Sequence, residues 1–188
     1  MGLDMYLTKH HYVQNWDHQK PEHRHTFVIK KGGKLRTDIK PERISYIIEQ
    51  VCYWRKANAI HGWFVKNVQG GKDDCRDYHV AVEKLQELVA VCDEVLARSE
   101  VINGVVKRGK VAGPETKGKW KPILEAGEVI ANPDVAEDLL PTKEGFFFGS
   151  VDYDDAYLQD IRETRNTLQE LLQEDPEGEG DYYYRASW

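Results

Sequence analysis

The sequence is short of cysteine and of long apolar runs, and it has no excess of positive charge. Cys52, Cys75 and Cys92 are odd in number and share no metal-ligand spacing, so they form neither a disulfide framework nor a zinc set. A reducing compartment is the expected setting. No apolar run approaches the roughly 20 residues of a membrane-spanning helix. Asp4 stands where a secretory signal would carry basic and then apolar residues. The chain is therefore expected to remain in the cytoplasm, away from membranes. The net charge of -6 argues against a surface that tracks nucleic acid along its whole length, though it leaves room for a local basic patch. Several catalytic signatures are also missing: a Gly-rich phosphate loop before a Lys-Ser/Thr pair, a Gly-x-Ser-x-Gly elbow and a His-Glu-x-x-His helix.

What is present is ordinary for one globular domain spanning 1–188, with 40% hydrophobic and 31% charged residues. The alternation of Leu3, Met5 and Leu7 with Asp4, Tyr6 and Thr8 predicts a first strand over Gly2–Val13. His23–Lys30 reads as a second strand, able to pair with the first as a hairpin. Ile44, Ile47, Ile48 and Val51 recur at helical spacing, and a second line runs through Tyr53, Ala57, Ile60, Phe64 and Val68. Together they predict one long, buried central helix from about Pro41 to Gly70-Gly71, with Tyr53, Ile60 and Phe64 in the core. A further helix follows from Val82, through Leu85, Leu88, Cys92 and Val95.

The stretch 101–132 is rich in glycine and lysine and keeps no period, so it reads as a long loop or a small two-stranded insertion, a place for a lid or a partner contact. Gly145–Ser150, with three phenylalanines between glycines, predicts a short strand buried on both faces. Asp152 is positioned to cap a helix carrying Tyr157, Leu158, Ile161, Thr164, Leu168 and Leu171. The aromatic end, Asp181–Trp188, returns as a last strand. The fold class is α+β, a small antiparallel sheet packed on about three helices.

The polar residues Arg55, Asn58 and His61 recur every three positions on the expected central helix, flanked by Trp54 and Trp63. A guanidinium can fork onto phosphate, an amide and an imidazole can meet ribose or base, and an indole can stack. The five residues are therefore the candidate ligand site for a small anionic or nucleotide-like molecule. The competing reading is structural, with Arg55 paired to an acid of another element and Asn58 and His61 satisfying internal polar groups. His23 and His25, with His10 or His11 across a hairpin, could begin a metal site, but no acidic partner stands at a metal-ligand spacing. Asp152, Asp154 and Asp155 fit a helix start better than a cation site. No metal, cofactor or catalytic residue is expected from these patterns.

The opening Met1-Gly2-Leu3-Asp4-Met5-Tyr6-Leu7, the Tyr53–Phe64 segment, Asp73-Asp74-Cys75, Leu139-Leu140-Pro141-Thr142 with Gly145–Ser150, and the closing Ser187-Trp188 resemble an uncharacterised family of small bacteriophage and prophage proteins. The resemblance implies a genomic setting and no activity. The expectation is a phage accessory protein in the host cytoplasm, a non-enzymatic binder that acts against host defence by sequestering a nucleotide-like signal or occupying a host protein. A His- or metal-dependent hydrolase or nuclease is the first alternative. A structural or assembly protein without a ligand is the second, and oligomeric state stays open.

Overall fold

In the computed structural model, which describes residues 2–112, 119–176 and 178–188, the first strand β1 (Asp4–Tyr12) lies inside an antiparallel sheet. It pairs with β4 (Tyr46–Arg55) on one side and β8 (Asp181–Ser187) on the other, and β5 (Tyr78–Val80) completes the order β4-β1-β8-β5. The alternation in the sequence sets the faces. Leu3, Met5 and Leu7 point inward with Tyr182, Tyr184 and Ala186, and all six are buried. Each fully buried side chain of this kind contributes roughly 1.5–3 kcal/mol.

Among the described residues, three helices of seven or more residues cover the inner face: α1 (Asn58–Asn67), α2 (Val82–Arg98) and α4 (Asp155–Glu174), with the short α3 (Asp134–Leu139) beside α2. α2 buries Leu85, Leu88, Cys92 and Val95, and α4 buries Leu158, Ile161, Thr164 and Leu168, as their stripes require. Asp154, two residues later than the expected Asp152, caps α4. Its Oδ1 accepts from the N–H groups of Ala156 (3.0 Å) and Tyr157 (3.4 Å). Asp152 instead takes the ammonium of Lys107 at 2.9 Å. The fold is α+β, as expected.

The long central helix is corrected: Tyr46–Arg55 is strand β4, and helix begins only at Asn58. The first half of β4 is exposed on both faces, so it shows no inside/outside alternation and its isoleucines merely coincide with a helical period. Its β-branched and aromatic composition fits a strand. Lys56, at φ 63°, turns the chain between the two elements. Tyr53 consequently leaves the core and is 46% exposed, whereas Ile60 and Phe64 are fully buried.

The expected hairpin partner of β1 is also corrected, because His23 ends a 3-10 turn (Pro21–His23) and only Lys30–Lys31 (β2) pairs, with Lys34–Leu35 (β3). Gly145–Ser150 is not a strand either. Phe148 N–H donates to Gly145 O at 3.1 Å and Gly149 takes φ 89°, closing a turn that buries Phe148 and leaves Phe146 94% exposed. Of the two options open for 101–132, the two-stranded one is observed: β6 (Val101–Val111) and β7 (Lys121–Ile130) form a hairpin, and 113–118 lie outside the described residues.

Candidate functional site

The Trp54–Trp63 segment joins the end of β4 to α1, and its five marked side chains go to different places. Trp54 is buried, its indole N–H donating to Thr164 Oγ1 at 2.8 Å. Arg55 is the last strand residue and reaches outward, pairing through Nη1 with Asp4 Oδ1 at 2.8 Å, an oxygen that also accepts from the Tyr53 hydroxyl at 2.5 Å. The hydrogen bond from Tyr53, joined by the positive field of Arg55, holds the Asp4 carboxyl below its usual range.

Asn58 is buried and nearly saturated. Its Nδ2 donates to Phe148 O (2.9 Å) and Ser150 O (2.7 Å), while its Oδ1 accepts from Lys143 N–H (2.9 Å). It thus pins the 143–150 loop to the start of α1. One helical turn on, His61 is wholly buried among Phe148, Tyr184 and Trp188. Its Nδ1 lies 2.8 Å from the Tyr184 hydroxyl and its Nε2 3.0 Å from Asp73 Oδ2, which also accepts from Lys143 Nζ at 3.1 Å. The consistent assignment has Tyr184 O–H donating to Nδ1 and the Nε2–H donating to the carboxylate. Burial lowers the imidazole pKa against the opposing pull of Asp73, so the ring is neutral near pH 7.

Trp63 alone of the five lines a groove of about 630 Å³ bounded by α1, α2 and the 138–143 segment. Leu139, Pro141 and Val91 give it an apolar wall, Lys66, Asn67, Thr142 and Lys143 supply polar groups, and the carboxylates of Glu87 and Asp138 stand on its exposed rim. That volume is in the range of small-molecule sites. Trp63, Lys66 and Asn67, spaced at three and four residues, bring one face of α1 to this groove; of the three, Trp63 belongs to the set expected from the sequence, and Lys66 and Asn67 join it here.

A second cleft, about 200 Å³, brings Arg55 and Asn58 together with Lys56, Thr142, Ser150, Asp152, Asp154 and Asp160. Burial, reinforced by the negative fields of Glu163 and Asp154, pushes the Asp160 carboxyl up to about 7. Nothing in the sequence singled Asp160 out, since it sits among the exposed-looking acids of an amphipathic helix. His25, His10 and His11 line a third cleft of about 640 Å³, but no group of three or more His, Cys, Asp or Glu side chains that could hold a metal ion forms among the described residues. Comparison of the chain with family models, curated proteins and solved structures finds no match.

Proposed function

We propose that the protein is a non-enzymatic binder whose ligand, a small molecule with a flat ring system and an anionic group, occupies the groove beside Trp63. The observation that carries this reading is the groove's makeup, an indole and aliphatic wall under Lys66, Lys143 and Asn67 in a ligand-sized volume. A nucleotide-like molecule has matching parts: a base for the indole and leucine surface, and phosphate for the exposed Lys66 ammonium, with Lys143 shared between the ligand and Asp73. The structural reading of Asn58 and His61 favours this place over the original constellation, because their polar atoms are already engaged inside the protein.

The resemblance to phage proteins supports a setting in the host cytoplasm, with the bound molecule withheld from host defence. Isothermal titration calorimetry with a panel of mono-, di- and cyclic nucleotides tests the reading. Lys66→Glu on the exposed rim should weaken the bound nucleotide at least about tenfold at unchanged melting temperature, the equivalent of about 1.4 kcal/mol. Absence of heat or stabilisation with every nucleotide would overturn it. A second reading has one specific observation in its favour: Asp160, titrating near neutrality in a cleft with Arg55, has the pKa of a general acid or base. Turnover of any panel nucleotide, lost in Asp160→Asn, would shift the conclusion to a hydrolase.

A further inference from the structure

The outer face of the sheet carries a field of aromatic rings. Tyr6, Thr8 and His10 of β1 point there, with Tyr183 and Arg185 of β8, Tyr46 and Tyr53 of β4 and His79 of β5, as the strand registers place them. The rings meet across strands: Tyr6 and Tyr53 at 5.4 Å between centroids, His10 and Tyr183 at 4.4 Å, Tyr183 and His79 at 5.7 Å. The Arg185 guanidinium lies over the Tyr6 ring at 5.8 Å. Tyr46, Tyr53, His79 and Arg185 are exposed, so the face is open to a partner.

We infer that this face binds single-stranded nucleic acid, unpaired bases stacking on Tyr6, His10 and Tyr183 while Arg185 meets phosphate. Charge placement supports that occupant despite the acidic chain as a whole. Among the described residues the face carries two carboxylates, Asp4, engaged by Tyr53 and Arg55, and Asp181, opposite His10 in the register and 3.7 Å from His79. The middle rows, Gln50-Thr8-Tyr183-His79 and Tyr53-Tyr6-Arg185, contain only neutral groups, titratable imidazole and the guanidinium. Ring faces serve any base, so recognition of this kind is tolerant of sequence and works on strands whose bases are unpaired. A second copy of the chain is a poorer occupant, because Ile48, opposite His10, is an exposed aliphatic side chain beside middle rows that carry none, short of a stable dimer core. Tyr6 and His10, four residues apart on β1 with Thr8 between them, stand about 13 Å apart along the strand, leaving room for successive bases to be splayed rather than stacked on each other.

Fluorescence anisotropy with labelled oligo-uridine and oligo-thymidine of about 12 nucleotides, within the usual site size, at low and at moderate salt, tests the inference. Saturable binding of either sugar is expected, weakened about tenfold or more by Tyr183→Ala and by Tyr6→Ala, and retained in Tyr183→Phe, which keeps the ring. Arg185→Gln should flatten the salt dependence by about one released ion. Circular dichroism checks each variant. If Tyr183→Ala is unfolded, Tyr6→Ala and Arg185→Gln carry the test. The inference is overturned if neither strand binds, if duplex binds better than single strands, or if folded ring variants bind as the parent does. Self-association abolished by the same ring variants, without nucleic-acid binding, would also overturn it. Lys66→Glu, remote from this face, should leave strand binding unchanged, so its outcome is separate from that of the Trp63 groove.

Discussion

Replacing Asn58 by alanine should destabilise the protein far more than replacing Arg55, although the two are three residues apart. Asn58 is 5% exposed and makes three hydrogen bonds of 2.7–2.9 Å to the backbone of the 143–150 segment. At roughly 0.5–1.5 kcal/mol each, their loss amounts to about 2–4 kcal/mol, before any further cost for buried backbone groups left without a partner. For a chain of this length that corresponds to a drop of roughly 5–15 °C in melting temperature. Arg55 by contrast is a surface group whose pair with Asp4 is solvent-screened, so its loss should barely move the melting temperature. Differential scanning calorimetry at pH 7 on the parent, Arg55→Ala and Asn58→Ala measures both. If Asn58→Ala melted within the range of Arg55→Ala, the loop-pinning role of the amide would be refuted. Loss of nucleotide binding in Asn58→Ala without loss of stability would restore it as a ligand residue.

His61 has its pKa lowered in the folded state by burial, so the unfolded chain takes up the proton more readily. Stability is fully present above the unfolded value near 6.5 and falls as pH drops below it, and His61→Gln should flatten that part of a melting-temperature profile between pH 7.5 and 5. Asp160 has the opposite sign: its carboxyl, raised from 3.8 to about 7, contributes stability below 3.8 that is lost as pH rises toward 7. Asp160→Asn should therefore raise the melting temperature at pH 8 and leave it nearly unchanged at pH 3.5, and no gain at pH 8 would contradict the buried position of the carboxyl. Phe64, stacked on Tyr184 at 3.9 Å between centroids and 6° between planes, should cost about 3–5 kcal/mol on truncation to alanine, read from the urea midpoint at constant slope.

The sequence by itself determined the elements that bury one face against a common core. β1 and β8 alternate in step with the pleat, and α2 and α4 carry stripes at helical period, so local pattern and tertiary environment agree. Ile60 and Phe64 were readable as core for the same reason. β4 was not, because its first half lacks cover on either side and so its side chains record no face. Gly145–Ser150 was misread because hydrophobicity reports burial, and in a turn the two glycines free Phe146 to point outward while Phe148 points in. The fate of the polar line was decided only by tertiary structure. Arg55, Asn58 and His61 share a spacing, but spacing becomes a common face only within one helix. The backbone turn at Lys56 puts Arg55 on the outer face of the sheet, and the partners that saturate Asn58 and His61, from residues 73, 143, 148, 150 and 184, are distant in sequence and brought near only by the fold.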